Sequence, residues 1–448
     1  MMVVMRTEGR KVVKTSTRAH KKGGEEMGRE RKRMTRRAFL KTGLVAGGLG
    51  AFGVPTLLRA QPKEIKVGLL APLTGVSANW GQRTFWGFQL AAQLINEAGG
   101  IKSMGGAKIK VVVADTETKP EVAAIQAEKL IADKEVMLLS GCNQSSATMV
   151  ATQVAERSHI CFILGTDTAP QITQRGFQYT FRTVPIMTNF ARDLVLFGRD
   201  MGKETGKAVK KMAVLCENSI FGVAGGDAAV KCGKEIGIDV VEYSTYDPVT
   251  TKEFTGYISK YKSAGVDYLV CSSRPQDAVL ITRTMKELNY NPLGYGGIVG
   301  AHAVSDYGEA LGKDSNFVLV TTNFTENATI PGLKEFVARF KKQFNVSPDT
   351  ASLGGSAVLP VLKAALETKA TYDREELQRA ITKVEIRAGD YFNLQIEGVK
   401  WDSNHDNAWA QSFVLMWENG VMIPVAPAKY AIKKPVWPRP TWDEIKKM

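Results

Sequence analysis

The sequence has few cysteines and histidines, the residues that most often hold metals and redox cofactors. Five of its 448 residues are cysteine and four are histidine. All five cysteines, and the three histidines beyond residue 60, stand at Cys142, Cys161, Cys216, Cys232, Cys271, His159, His302 and His405. The cysteines show no Cys-x-x-Cys spacing and lie mostly in or beside apolar runs, so we expect them to be buried small hydrophobic residues. This scarcity argues against a metal site, a resident cofactor or a histidine-dependent catalytic triad.

Common nucleotide-binding and hydrolase motifs are also missing. No phosphate-binding loop ends in Gly-Lys-Ser or Gly-Lys-Thr, and no Gly-x-Ser-x-Gly elbow occurs. The letters Gly-Leu-Gly-Ala-Phe-Gly at 48–53 match a dinucleotide fingerprint, but no strand precedes them. We therefore expect a protein that is not an enzyme.

Positive charge is concentrated at one end of the chain. The net charge is +14, but residues 1–60 hold fifteen Lys and Arg against four Asp and Glu. Residues 61–448 hold forty-four against forty-one. Because the basic excess belongs to the N-terminal segment, the main argument for a nucleic-acid partner is lost.

The N-terminal segment contains a candidate export signal. Arg36 and Arg37 are preceded by Thr and followed by Ala-Phe-Leu-Lys, the pattern of a twin-arginine leader. The mostly apolar run at 43–58 is sixteen residues long, short of the about 20 needed to span a bilayer. We expect residues 1–60 to be an extension plus leader, recognised by the twin-arginine export machinery and cleaved after Ala60, which leaves a periplasmic protein. A membrane anchor is the alternative.

Beyond residue 60, short apolar runs alternate with helical patterns. Strands are predicted at Ile65–Leu70, Ile109–Asp115, Val136–Gly141, Ile160–Gly165, Met212–Glu217, Val240–Tyr246, Tyr268–Ser272 and Phe317–Thr321, with a last strand pair at Tyr391–Gln395 and Gln411–Trp417 before a turn at Asn419-Gly420. Helices are predicted around Phe85–Ile95, from Pro120, at Ala147–Glu156, Pro331–Phe344, Ser352–Thr368 and Glu375–Lys383. The strand–helix series runs twice, which predicts an α/β protein with two doubly wound parallel sheets.

Several segments, in the same order, resemble the branched-chain amino-acid-type (Leu/Ile/Val-binding-like) periplasmic binding proteins. They are Lys66–Leu73, Ile95–Ile101, Gly141–Ser145, Thr173–Phe177, Phe181–Thr183 and Phe221-Gly222. The family consists of two-lobed receptors, joined by three crossover strands, that close on a small solute and deliver it to the permease subunits of an ABC importer in the inner membrane. The resemblance implies this type I periplasmic binding fold. Its expected parts are lobe I at 61–184 and 323–388, lobe II at 185–322 and 389–430, and a C-terminal tail at 431–448.

Three small polar residues of lobe I are candidate ligand contacts. Ser145 follows a predicted strand and starts a helical run, where backbone N–H groups and a hydroxyl suit an anion. Simple N-capping is the alternative. By resemblance, Thr166 and Thr168 fall where the family offers a backbone carbonyl and a hydroxyl to the ligand. Turn formation is their alternative role.

Two aromatics and an arginine complete the candidate site. Trp80 and Phe221 are expected in equivalent strand–helix loops, where similar proteins often place an aromatic wall, although an aromatic there can equally be core. Arg274 follows the predicted strand Tyr268–Ser272 and could pair a ligand carboxylate. Its alternative is a solvated surface arginine.

The class of solute is predicted from the absence of an acidic residue in one loop of lobe II. Amino-acid binders of this family usually present an acidic residue from the loop after the fourth strand of lobe II, but here we read that loop as Gly294–Gly300, without an acid. A buried ammonium without a counter-charge costs several kcal/mol. We therefore expect a small carboxylate or amide with an apolar or aromatic body, unless another acid reaches the site.

Two other functions stay open at this point. One is a ligand-sensing receptor for a membrane signalling partner, which the fold does not separate from a transporter component. The other is an exported enzyme, which the lack of catalytic motifs disfavours.

Overall fold

The computed structural model describes residues 64–448, so Arg36 and Arg37 of the predicted leader lie outside it. The strands are β1 Ile65–Ala71, β2 Ile109–Asp115, β3 Val136–Gly141, β4 Phe162–Leu164, β5 Thr180–Arg182, β6 Lys211–Glu217, β7 Asp239–Tyr246, β8 Tyr268–Ser272, β9 Gly294–Gly297, β10 Leu319–Thr322, β11 Glu385–Ile386, β12 Val399–Lys400, β13 Phe413–Glu418 and β14 Val421–Ala426. The helices are α1 Ala78–Glu97, α2 Pro120–Ala132, α3 Ser145–Arg157, α4 Met187–Thr205, α5 Ile220–Glu235, α6 Thr255–Ser263, α7 Pro275–Glu287, α8 Ser305–Leu311, α9 Leu333–Phe344, α10 Thr350–Ser356, α11 Val358–Thr368, α12 Arg374–Ile381 and α13 Trp442–Lys447.

Most of the strands form two sheets with the same winding order. The first is parallel throughout, in the order β2-β1-β3-β4-β5. The second repeats this order as β7-β6-β8-β9-β10 and adds β13 and β14 antiparallel at its edge. The predicted pair of doubly wound parallel sheets is confirmed.

The near-continuous apolar runs of the strands follow from burial on both faces. Leu69 and Leu70 are adjacent in β1 and both are fully buried, yet they belong to hydrophobic clusters on opposite sides of the first sheet. Successive side chains of a strand point to opposite faces, so both faces of this sheet are covered by helices. A third cluster forms the core around the second sheet.

Within the described residues the chain passes between the two sheets three times. It leaves the first sheet after β5 through residues 183–186, returns after β10 at Asn323, and crosses again through residues 408–412 before β13. Val399 packs in the core of the first sheet, although we assigned the segment 389–430 to lobe II. The other lobe boundaries stay predictions.

The C-terminal tail enters the core of the second sheet. The ring of Trp437 contacts Tyr268 edge-on, with centroids 5.8 Å apart. The indole N–H of Trp442 donates to the carbonyl of Tyr290 at 2.8 Å. Both tryptophans are buried with that core together with Ile445, so the tail contributes side chains to it.

Two predicted elements were wrong in detail, and several strands were not predicted. Tyr391–Gln395 is not a strand, since residues 390–392 form a 3-10 turn, and β13 pairs with β14 around Asn419-Gly420. The helix predicted at Ser352–Thr368 is divided at Ala357 into α10 and α11. The strands β5, β9, β11, β12 and β14 were missed.

The described residues contain no helix with the length and apolar character needed to cross a bilayer.

Candidate functional site

The carboxyl ends of both sheets open onto one cleft of about 670 Å³. Ligands in open α/β sheets bind beyond the carboxyl ends of the strands, where the winding direction reverses. That reversal lies between β1 and β3 in the first sheet and between β6 and β8 in the second. The helices that follow these four strands, α1, α3, α5 and α7, all contribute residues of their first turns to the cleft wall. We call the residues from the first sheet's side the first half of the cleft, and those from the second sheet's side the second half.

Each half contributes one aromatic side chain from a helix start. Trp80 is the third residue of α1 and Phe221 the second of α5. We had expected both in the preceding loops, so that prediction was wrong. A glycine follows each aromatic. A Cβ at Gly81 or Gly222 would lie 2.1 Å from a carbonyl oxygen at the end of the preceding strand or loop. Glycine therefore lets both helix starts press closely against the backbone that leads into them.

The two aromatics converge on Gly300. A Cβ at this residue would lie 3.1 Å from the Trp80 ring and 3.2 Å from the Phe221 ring. Gly300 also has a φ of +76°, which L side chains rarely adopt. The backbone at Gly300 therefore forms a floor against which both rings rest.

Ser145 is the first residue of α3, and Gln144 is the N-cap residue. The predicted alternative, that Ser145 caps the helix, is therefore wrong. No side chain caps α3, and the same holds for α1 and α7. Only α5 among these four described helices is capped, by the Ser219 hydroxyl, which accepts from the Gly222 N–H at 3.2 Å. First-turn N–H groups have no intrahelical acceptor, so the α3 start presents donors to the cleft.

The loop after β4 carries Thr166, Asp167 and Thr168. Thr166 lines the cleft, whereas Thr168 lines a smaller cavity that shares Trp80, Thr166 and Phe221 with the cleft wall. The Thr168 carbonyl accepts from the Met187 N–H at 2.7 Å, so that oxygen is already engaged. The Thr168 hydroxyl has no hydrogen-bond partner among the described residues.

Asp167 is a buried carboxyl at the same place. Burial raises the pKa of Asp167 to about 6. The Thr166 hydroxyl and the Asn143 N–H donate to its Oδ2 at 3.2 and 3.3 Å, which offsets part of the burial cost. Asp167 is the carboxylate that the first half contributes to the cleft wall.

Arg182 stabilises the loop after β4 through hydrogen bonds to its backbone. Its side chain is fully buried at the end of β5 and donates to the carbonyls of Thr168 and Ala169 at 3.3 and 2.7 Å. Asp406 lies 3.5 Å from its Nε. A buried guanidinium needs acceptors around it, and here the loop backbone supplies two of them.

The charged groups of the second half are mostly paired with each other. Arg274, the N-cap residue of α7, lies 2.7 Å from Glu217 at the end of β6. Asp277 accepts from the Tyr246 hydroxyl at 2.9 Å, and burial raises the pKa of Asp277. Arg274 thus faces the cleft as predicted, but its guanidinium already has a carboxylate partner.

One ion pair joins the two halves. Arg83 of α1 lies 3.0 Å from Asp306 at the start of α8 and 3.5 Å from Asp349. Asn79 donates to the other carboxylate oxygen of Asp306. Since Arg83 and Asn79 belong to the first half and Asp306 to the second, this cluster bridges the cleft.

The acids of the cleft were not predicted from the sequence. The segment read as a loop, Gly294–Gly300, begins with β9, and only Ile298 and Val299 lie between that strand and a 3-10 turn that starts at Gly300. The acids come from other positions, which are Asp167, Glu217, Asp277 and Asp306. Glu217 could have been found because it ends a predicted strand. Asp306 had no such signal.

Comparisons with known proteins agree with this architecture. The family model described as periplasmic binding protein matches residues 64–420. The Leu/Ile/Val-binding protein homolog 7 of Brucella melitensis is 28% identical over 379 residues, which cover 83% of this chain and 93% of that protein.

Two solved structures share the fold. The leucine binding protein LivK of Thermotoga maritima has a TM-score of 0.71 and 21% identity, with 81% of this chain and 98% of that chain covered. A solute binding protein of an ABC transporter from R. palustris, in complex with benzoate, has a TM-score of 0.70 and 20% identity, with 81% and 96% covered.

Proposed function

The chain belongs to the family of periplasmic binding proteins, and we propose that it is the extracytoplasmic solute-binding component of an ABC importer. The observation that carries this proposal is the cleft between two sheets, with one aromatic from each half and an uncapped helix start facing it. The partners it requires are the permease subunits in the inner membrane. Export by way of Arg36 and Arg37 belongs to the same proposal.

The solute is a small carboxylate or amide with an apolar or aromatic body. The Ser145 hydroxyl and the N–H groups at the start of α3 receive its polar end. Trp80 and Phe221 enclose its body, with the floor at Gly300. The Thr168 hydroxyl supplies a further hydrogen bond, and the Thr166 hydroxyl, which donates to Asp167, can accept one from an amide N–H.

The state of the cleft carboxylates supports this class over α-amino acids. Glu217 and Asp306 are paired with arginines, and Asp277 accepts from a tyrosine hydroxyl. Asp167 has a raised pKa and already accepts two hydrogen bonds. At Glu217, Asp277 or Asp306 a ligand ammonium would have to displace a partner, which costs several kcal/mol for a buried charge. Among these four carboxylates, only Asp167 has a buried oxygen, its Oδ1, without a partner among the described residues, and the raised pKa of that carboxyl makes it a weaker counter-charge. Among the structural neighbours, a leucine-binding protein and a benzoate complex show that the fold serves either class.

Calorimetric titration with matched solutes tests the class. Two pairs compare an amino acid with the same carboxylate without its amine: leucine with 4-methylpentanoate, and phenylalanine with 3-phenylpropanoate. A third pair, benzoate with benzamide, compares a carboxylate with an amide. We expect at least one amine-free solute to bind at least tenfold more tightly than the amino acid it matches. Tight binding of leucine, with none of 4-methylpentanoate, would contradict the proposed class.

Two alanine variants test the placement of the pocket. Ser145→Ala and Thr168→Ala should each weaken binding of the best solute without lowering the melting temperature. Ser158→Ala, at the opposite end of α3, is the matched control and should bind like the parent. Unchanged affinity in both site variants would mean that the solute lies elsewhere.

The importer role has its own test. Reconstituted in liposomes with its permease and ATPase subunits, the loaded protein should stimulate ATP hydrolysis and solute uptake. Solute binding without any effect on those subunits would favour the sensor role instead.

A further inference from the structure

A second cavity of about 20 Å³ adjoins the cleft. It shares Trp80, Thr166 and Phe221 with the cleft wall, and its other walls include Val184 and Asn323, from two of the three crossings between the sheets. This volume fits about one water molecule or one non-hydrogen atom of a ligand.

Two polar atoms without partners lie at this cavity. Asn323 is 6% exposed and Thr168 is 4% exposed. Among the described residues, neither the Asn323 Nδ2 nor the Thr168 Oγ1 has a hydrogen-bond partner. The Thr350 hydroxyl donates to the Asn323 Oδ1 at 2.7 Å, which fixes the amide and leaves its NH₂ group as the unused end. Buried polar groups are almost always paired, so two unpaired ones at one small cavity call for an occupant.

We propose that this cavity is a subsite for an oxygen substituent of the solute, with Asn323 as its specificity-determining residue. The inference rests on the proposed function and narrows the solute to a carboxylate or amide that also carries a hydroxyl or oxo group. Asn323 donates to that oxygen, and the Thr168 hydroxyl donates to it or accepts from it. A methyl group of the same size would leave both polar atoms buried and unpaired.

The position of Asn323 favours a solute atom over a structural water. Asn323 is the first residue after β10, where the chain returns to the first sheet. An oxygen bound there lies between a segment that connects the two sheets and the walls formed by Trp80 and Phe221. Occupancy of the subsite would therefore stabilise the closed arrangement of the two halves, which a permanently bound water could not couple to solute binding.

Paired hydroxyl and methyl ligands test the subsite. The affinities of benzoate and of its 2-, 3- and 4-hydroxy and methyl derivatives are measured by calorimetry with the full chain. We expect one hydroxy isomer to bind at least tenfold more tightly than its methyl isostere, because a site built for a hydroxyl rejects the analogue that lacks it. In Asn323→Leu and in Thr168→Val this preference should fall below about threefold. If benzoate binds and no hydroxy isomer gains affinity, the inference is overturned.

A ligand-free measurement separates this inference from the proposed solute class. Thr168→Val removes a buried hydroxyl without a partner, so we expect the melting temperature to rise by about 1–3 °C. Thr116→Val is the matched control: its hydroxyl is also buried and unpaired, but it lines neither cavity. This control should gain similar stability and keep the hydroxyl preference.

The ligand affinities and the melting temperature together distinguish failure of the proposed solute class from failure of the subsite. If no benzoate derivative binds, benzoates are excluded as solutes, the proposed class is decided by the other matched pairs, and the melting temperature decides the subsite. A rise then supports a preformed, unfilled polar subsite. A fall means that a bound water satisfies the Thr168 hydroxyl in the free protein, which overturns the subsite.

Discussion

The chain segments after β3 and β8 occupy equivalent positions in the two sheets, yet one reaches the cleft with Ser145 and the other with Arg274. Ser145 opens a helix that no side chain caps. Arg274 is held 2.7 Å from Glu217 before any solute arrives. The shared strand order thus brings both segments to the cleft. Their side chains differ in whether their hydrogen-bonding groups are already paired before a solute binds. Unused hydrogen-bonding capacity is concentrated in the first half of the cleft.

This difference suggests separate tasks for the two halves. Neutral hydroxyls and N–H groups can bind a solute without first breaking an ion pair, whereas paired charges must be separated at a cost. We therefore expect the first half to recognise the solute. The second half supplies an aromatic wall and, through Asp306, a charged contact across the cleft.

The largest effect is expected at the buried support of the first half. Arg182→Met should lower the free energy of unfolding by about 3–5 kcal/mol, because it leaves Asp406 buried without its cation. It also removes the donors to the carbonyls of Thr168 and Ala169. Urea unfolding measures the loss. Asp406→Asn in the same chain should recover part of it, and a loss below about 1 kcal/mol in the single variant would show that this loop does not depend on Arg182.

The next effect concerns Asp167 and depends on pH. Its pKa of about 6 lies above the ordinary 3.8, so the folded state holds a proton that the unfolded state releases between these values. The contribution of Asp167 to stability is therefore largest below pH 4 and falls as the pH rises through 6, by about 3 kcal/mol in all. Asp167→Asn removes this dependence.

At pH 8, Asp167→Asn should therefore be more stable than the parent by up to about 3 kcal/mol, and at pH 4 the two should be nearly equal. Unfolding in urea at a series of pH values checks this. An advantage that did not change with pH would show that the Asp167 carboxyl has the same pKa in the folded and unfolded states.

A smaller pair of effects compares the two equivalent segments directly. Ser145→Ala should weaken solute binding about five- to tenfold and leave stability unchanged, since it removes one hydrogen bond of about 1 kcal/mol. Arg274→Met should instead lower stability by about 1–2 kcal/mol, because the Glu217 side chain, 5% exposed, loses its partner. The value is below that of a fully buried pair because 26% of the Arg274 side chain is exposed.

Glu217→Gln added to Arg274→Met should restore most of that stability. If Arg274→Met weakens binding more than Ser145→Ala does, Arg274 contacts the solute, and the division of tasks between the halves is wrong.

The sequence predicted the sheets well because their strands carry a local signal. A run such as Val136–Gly141 is buried on both faces and is apolar throughout, so the burial pattern can be read from neighbouring residues alone. The strand Gly294–Gly297 has no such pattern. It consists mostly of glycine because its neighbours leave no room: a Cβ at Gly297 would lie 2.1 Å from the His302 ring.

The candidate site was most predictable where a residue follows a strand within four positions. Ser145, Thr166 and Arg274 line the cleft for that reason. Trp80 and Phe221 were placed in loops although serines, Ser77 and Ser219, occupy the N-cap positions of α1 and α5. The role of Gly81 and Gly222 is visible only once the carbonyl beneath each is known. Arg83 and Asp306 are separated by 223 residues, and no local pattern connects them.

The pair of Arg83 and Asp306 gives the smallest expected effect. It is also the most direct test of whether the second half helps to close the cleft through a charged contact. Asp306→Asn removes the charge that bridges to Arg83, and we expect solute affinity to fall about two- to fivefold, the range of a partly exposed ion pair. The loss should shrink between 50 and 500 mM salt, because screening already weakens the pair in the parent. Asp314→Asn is the matched control, since its partner Lys286 lies on the same half, and it should bind like the parent. If Asp306→Asn left affinity unchanged at low salt while Ser145→Ala lowered it, the cleft would be closed by the solute and the aromatic pair alone, and the second half would contribute no charged contact to closure.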